Sequence, residues 1–169
     1  PRIKKEWVSE IIVVDGGSTD GTLEYAKEHG YNVYVQKKKG LRHAYIEGLP
    51  LVNSDFVVTF SPDGNSIPEA IPDLIKKINE GYDMVVASRY LDHAKSYDDD
   101  IITRFGNWFL TNITNIFHKG TFTDALVMLR IYKKSLFYEL KMDTEESYNV
   151  EKWYLTTIGI EPLLSIRVP

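Results

Sequence analysis

Two acidic turns stand where alternating strands and helices place their chemistry. Asp15 closes the apolar run at residues 11–14 and opens the turn Gly16-Gly17-Ser18-Thr19-Asp20-Gly21. Asp63 lies with Asn65 in Ser61-Pro62-Asp63-Gly64-Asn65, directly after the run at residues 55–60. In open α/β sheets, ligands settle at the carboxyl ends of the strands, the edge where both acids fall. Asp63 and Asn65 offer hard oxygen ligands suited to Mg²⁺ or Mn²⁺. Each turn also has a plainer reading. The first is then a Gly-rich turn with a capping residue, and the second an Asx-type turn. Lys37-Lys38-Lys39-Gly40 forms a third polar stretch. It is either a solvated turn or a set of cations beside a Gly that faces a diphosphate.

The elements that position these turns are legible from periodicity. Residues 11–14, 32–35, 55–60 and 83–87 are short apolar, β-branched runs and read as strands, with 55–60 the clearest buried one. Between them, residues 23–29, 41–49 and 68–78 read as helices. Thr19 or Asp20 is placed to cap the first, and Pro50 limits the second. Positions 71, 74, 75 and 78 follow the helical spacing. Strands alternating with helices predict a mostly parallel sheet. Residues 91–100 read as a lid-like loop.

Residues 101–118 read as an aromatic-rich helix with Ile102, Phe105, Phe109, Ile113 and Ile116 on one stripe and Trp108 beside it. Core packing is the expected use of that stripe; the alternative is a surface at a membrane interface. Residues 121–132 and 159–168 read as late strands, and residues 148–157 as a helix carrying Glu151, Trp153 and Tyr154. Residues 3–8 read as the tail of a helix.

Composition narrows the class. The chain has 169 residues, 43% of them hydrophobic, which suits one globular domain spanning residues 1–169. A formal net charge of -4 argues against a nucleic-acid binder built on phosphate contacts. There is no cysteine, so disulfide scaffolds and thiolate metal sites are excluded.

Three stretches in order resemble a known family. They are Val13-Val14-Asp15-Gly16-Gly17-Ser18-Thr19-Asp20-Gly21-Thr22, the acid-containing turn after the third strand, and Val85-Val86-Ala87-Ser88-Arg89-Tyr90. Together they resemble family 2 glycosyltransferases of the GT-A fold, and in particular the dolichyl- or polyprenyl-phosphate mannosyl- and glucosyltransferases. Residues 39–48 resemble that branch's Gly-containing helix start, and residues 124–132 its Asp-x-x-x-Gly-x-Arg-x-Tyr stretch. The resemblance implies an α/β, Rossmann-like GT-A sheet with flanking helices. The family's first strand is absent here, and the expectation is a domain trimmed at both ends.

The resemblance also implies roles. Asp15, Gly17, Ser18, Lys39 and Arg89 are expected to bind the nucleotide-sugar, with Arg89 and Arg130 near phosphates. Asp63 and Asn65 are expected to hold a divalent Mg²⁺ or Mn²⁺. Asp124 is expected near the transferred sugar or acceptor, with Glu151 on the acceptor side. The implied reaction moves a sugar, mannose or glucose, from a nucleotide-sugar donor to an acceptor such as a polyprenyl phosphate. The implied setting is cytoplasmic, with peripheral contact at the membrane face; a homo-oligomer is compatible. Ser61 stands where the family's first metal-motif acid is usual, and Met128 or Leu129 where its later Gly is usual. These departures support an alternative: a non-catalytic nucleotide-binding or interaction domain that keeps the fold.

Overall fold

The computed structural model describes residues 2–64, 66–91, 101–118, 120–144, 148 and 160–167. Contacts gather into two compact units, Ile3–Asp55 and Phe56–Pro169.

The first unit is a βαβ motif with a following helix. Strand β1 (Ile12–Asp15) pairs in parallel with β2 (Asn32–Val35), in a register that sets Val14 against Tyr34 and Asp15 against Val35. Parallel neighbours need a crossover, and helix α1 (Thr22–Glu28) provides it. Asp20 does act at the helix start, its carboxylate accepting the Thr22 N–H at 3.1 Å, while Gly21 occupies the cap position itself. Helix α2 (Leu41–Gly48) follows, and Pro50 falls in a 3₁₀ turn, Leu49–Leu51, where the α-helix ends. At Gly48, α2 packs tightly on β1. A Cβ there would sit 2.7 Å from Val14 Cγ2, so only glycine lets these elements meet at this distance. Residues 3–8 make turns rather than a helix tail, with Trp7 N–H bonded to Lys4 O at 3.1 Å. One such bond does not overcome the cost of helix nucleation.

In the second unit, strands β3 (Phe56–Thr59), β4 (Met84–Val86) and β5 (Arg130–Lys133) form a sheet in the order β3-β5-β4. β5 runs antiparallel to both neighbours, so β3 and β4 point the same way. Helix α3 (Ile71–Ile78) lays Ile71, Leu74 and Ile78 inward as their spacing predicts. Leu74 and Ile78 pack with Val127, Leu129 and Ile131, and Val58 and Val85 border that cluster. Burial of such a cluster is the main favourable term holding α3 to the sheet.

Four expectations change here. The run at 55–60 is not the most buried strand: Phe56 is exposed and Val57–Thr59 half-buried. The central position belongs to β5, whose Arg130, Ile131 and Tyr132 are all buried. The late strand is four residues long, because residues 120–129 run irregularly before it. The stretch expected as a final strand contains a helix instead, Ile160–Arg167, which follows α5 (Lys134–Glu139) and is preceded by the helix over residues 101–118, α4 (Ile101–His118); it is numbered α6. Pro162 sits in its first turn, where a missing N–H costs nothing, and Leu163, Leu164 and Ser165 are buried. The helix expected at 148–157, with Glu151, Trp153 and Tyr154, lies outside the described residues, apart from Tyr148, as does most of the lid-like loop.

The fourth change concerns the stripe on α4. Phe105, Trp108, Phe109 and Ile116 are exposed, and Ile113 is half-buried. Asn107, Thr111 and Thr114 are buried instead. The irregular run before β5 explains the inversion. Over residues 122–125 its backbone takes partners from polar side chains of α4. Asn115 accepts the Phe122 N–H at 2.9 Å and donates to Phe122 O at 2.7 Å, while Thr111 Oγ1 accepts the Ala125 N–H at 3.2 Å. A buried backbone polar group left unpaired is costly, so the polar face turns inward.

Candidate functional site

In the first unit the candidate residues form two neighbouring loops. Asp15 is buried at the end of β1. One of its oxygens accepts the Gly17 and Ser18 N–H groups, both at 2.8 Å, and the other accepts the Ser18 hydroxyl at 2.6 Å. The Ser18 hydroxyl and N–H, with the Gly17 N–H, hold the Asp15 carboxyl below the usual carboxylate range. Gly17 takes φ 91°, which an L side chain rarely adopts. Asp15, Gly17 and Ser18 are thus brought together as expected, but as a turn folded around its own carboxylate.

The lysine loop lies at the end of β2, and Gln36 N–H bonds Asp15 O at 2.9 Å between the two. Glu47 of α2 accepts the Lys37 N–H at 2.7 Å and the Lys38 N–H at 3.0 Å, and the Tyr34 hydroxyl at 3.0 Å. On the other side the Gln36 amide donates to Lys38 O and, at 3.1 Å, to Gly40 O. Lys37, Lys38 and Lys39 therefore ride on a clamped backbone. Glu47 and Gln36 were not singled out by the sequence. The available signal was an acid one helix-length beyond the lysines, on the face that turns back toward them.

In the second unit Asp63, Ser61, Ser66 and Arg89 share a hollow of about 150 Å³ with Leu126, Val127 and Met128. Met128 lines it, where the resembled motif has glycine, whereas Leu129 is buried in the core. Arg89 does not extend freely into the hollow. Its Nε donates to Asp124 Oδ2 at 2.7 Å and its Nη2 to Asp124 Oδ1 at 3.0 Å. The Arg89 N–H reaches the same carboxylate at 3.2 Å. Asp124 is fully buried, and Arg89 keeps about a quarter of its side chain exposed, 24% against 0%. A two-point fork of this kind fixes the guanidinium plane as well as its charge.

Arg130 lies elsewhere. It is 0% exposed, and donates from Nη2 to Val127 O and Ala125 O at 2.5 and 3.3 Å, and from Nη1 to Ser165 Oγ on α6 at 3.2 Å. The expected phosphate contact is replaced by a structural one: this guanidinium holds the irregular run and α6 to the sheet. Asn65 and Glu151 lie outside the described residues.

A larger cavity of about 330 Å³ is bounded by Tyr90, Arg104, Trp108, Asn112 and Phe122, among others. Among the described residues no group of three or more His, Asp or Glu side chains is placed to hold a metal ion. One carboxylate, Asp63, fits a cation of the Mg²⁺ kind held mostly by a substrate's phosphates. It does not fit a cation caged by protein alone.

The sequence profile of Glycosyl transferase family 2 matches residues 6–141. The chain belongs to that family. Glycosyltransferase AglJ of Haloferax volcanii is 27% identical over 149 residues, 88% of this chain and 48% of that protein. A dolichol-phosphate mannosyltransferase of Pyrococcus furiosus is 38% identical over 91 residues, 51% of this chain and 26% of that protein. The chain therefore spans half or less of the length of these curated relatives. The crystal structure of glucosyl-3-phosphoglycerate synthase from Mycobacterium tuberculosis superposes with a TM-score of 0.59 at 20% identity, covering 94% of this chain and 57% of that one. At that identity the match speaks for the fold alone, the α/β GT-A fold with flanking helices. No helix of the described residues is long and apolar enough to cross a membrane.

Proposed function

We propose that this family 2 domain transfers a hexose, mannose or glucose, from a nucleotide-sugar to a polyprenyl phosphate. The observation that carries the reading is the shared hollow of Asp63 and Arg89, with Arg89 aimed by a buried carboxylate. In such a transfer an acceptor phosphate oxygen forms a bond to the sugar's anomeric carbon. The bond from that carbon to the donor's β-phosphate oxygen breaks, and its electron pair leaves on the nucleoside diphosphate. Charge thus builds on the diphosphate, and a pre-oriented cation beside it lowers the barrier. Arg89 is that cation. A divalent ion bound with the donor, with Asp63 as its protein ligand, would supply further neutralisation of the leaving group.

The acceptor class follows from what Asp124 does. Both its oxygens are engaged by Arg89, so it is poorly placed to take a proton. A phosphate acceptor is already ionised and needs no base, whereas a hydroxyl acceptor needs one. Asp124 is therefore assigned to hold Arg89, and Glu151 remains the candidate acid on the acceptor side. Lys39 and its neighbours are assigned to the donor's phosphates, and Asp15, with Gly17 and Ser18, to the shape of the nucleotide-side loop. The exposed Phe105, Trp108, Phe109, Leu110 and Ile116 support peripheral contact with the membrane that carries such an acceptor.

The test is a transfer assay with labelled GDP-mannose and UDP-glucose, polyprenyl phosphate in detergent, and Mn²⁺. Label moving into the lipid phase, and lost in Asp63→Ala, is the expected result. Donor binding without transfer would favour the non-catalytic alternative, for which Ser61 in the hollow is the supporting residue.

A further inference from the structure

Arg89 is backed on its second side by an aromatic ring. Its guanidinium carbon lies 5.5 Å from the ring centre of Tyr90. That ring is in turn fixed from α4: Asn107 Nδ2 donates to the Tyr90 hydroxyl oxygen at 2.9 Å. Asn107 is one of the polar residues that α4 buries, at 8% exposure. A buried amide is kept on a helix whose outer face is aromatic, and its bond ends on the residue next to Arg89.

We infer that Asn107 and Tyr90 are positioning residues that hold Arg89 in its hollow, Asn107 acting through the Tyr90 ring. The inference rests on reading that hollow as the donor-phosphate site. Three contacts then define one guanidinium: the Asp124 fork in its plane, the Tyr90 ring behind it, and the Asn107 amide that stops the ring from turning. The planar cation is attracted to the ring face by the ring's quadrupole. The fork alone leaves rotation about the long side chain partly open. The ring closes it, and order at a cation of this kind is what electrostatic stabilisation requires. Tyr90 also lines the larger cavity while Arg89 lines the smaller one. The two residues are consecutive, so the ring that backs Arg89 is part of the wall of the neighbouring cavity.

The test needs no ligand, so it stands apart from the fate of the transfer reaction. In ¹⁵N spectra the Arg89 Nε–H, assigned by its loss in Arg89→Lys, is expected to exchange slowly with water because Asp124 holds it at 2.7 Å. Arg130 Nε–H, bonded to Val127 O at 3.1 Å in the same unit, is the internal reference. Asn107→Leu removes the donor, and Tyr90→Phe removes its acceptor but keeps the ring. Each is expected to speed Arg89 exchange about five-fold, the size of one net hydrogen bond, with Arg130 unchanged. The double variant is expected to be no faster than either single, since both remove one bond. Unchanged Arg89 exchange in both variants would overturn the inference. So would equal acceleration at Arg130, which would mean general loosening. A separate failure of wild-type protein to bind any nucleoside diphosphate would strike the functional reading and leave the positioning result intact.

Discussion

The side chains of Asp124 and Arg89 meet through two bonds, Nε to Oδ2 at 2.7 Å and Nη2 to Oδ1 at 3.0 Å, with the carboxylate sealed from water. The fork joins the end of β4 to the irregular run before β5. It turns an acid that the sequence motif alone would send to the substrate into the support of a cation at the hollow.

Removing one partner leaves the other buried and uncompensated. Arg89→Ala is expected to cost about 3 kcal/mol, because a lone buried carboxylate is far worse than a paired one. Arg89→Met combined with Asp124→Leu is expected to cost clearly less than the sum of the two singles. Urea unfolding of wild type, Arg89→Ala, Arg89→Met, Asp124→Leu and the double variant checks both statements.

Gly48→Ala should destabilise although it places a better helix former in α2. The helix preference gains about 1 kcal/mol, but the new Cβ meets Val14 Cγ2 at 2.7 Å, and overpacking of this kind costs about 1–3 kcal/mol. A lower unfolding midpoint is expected, with a smaller loss from the same change in a Val14→Ala background.

Glu47 gives the lysine loop a pH dependence of known sign. The Lys37 and Lys38 N–H groups hold its carboxyl below the usual range. A depressed carboxylate stabilises above its unfolded value and loses that contribution as pH falls through the folded one. The Lys37 and Lys38 amides should therefore stay protected at neutral pH and lose protection only once the pH falls below the usual glutamate range. Glu47→Gln should abolish that acid transition in an amide-exchange titration.

Trp108→Ser and Phe105→Ser should change stability by less than about 0.5 kcal/mol, as exposed substitutions do. If the face contacts lipid, both should also weaken co-sedimentation with anionic vesicles. A loss of several kcal/mol would instead mean that these rings are packed in a core.

Much of this was written in the chain. β2 occupies the expected residues 32–35, and the Ile71, Leu74 and Ile78 face of α3 follows its spacing because one side of an amphipathic helix must be buried. The outward stripe of α4 was not legible, because periodicity reports a face but not which layer it meets. Here the layer is an irregular backbone that needs Thr111 and Asn115 more than it needs rings. Residues 160–167 misled because a short apolar run fits a strand or a buried helix equally well. In the hollow, Asp63 was a candidate by its position after a strand, and Arg89 by the family resemblance. The partners that fix Arg89, namely Asp124, 35 residues away in sequence, and Asn107 through Tyr90, are tertiary facts. No local pattern encodes them.

The most direct test of the central claim is calorimetric titration of GDP and UDP, each with and without Mn²⁺, into the wild-type protein and Asp63→Ala. One base should bind, in a Mn²⁺-dependent way, and Asp63→Ala should weaken it at least tenfold, about 1.4 kcal/mol. A folded wild-type protein that binds neither, or an Asp63→Ala variant that binds as tightly as wild type, would contradict the account.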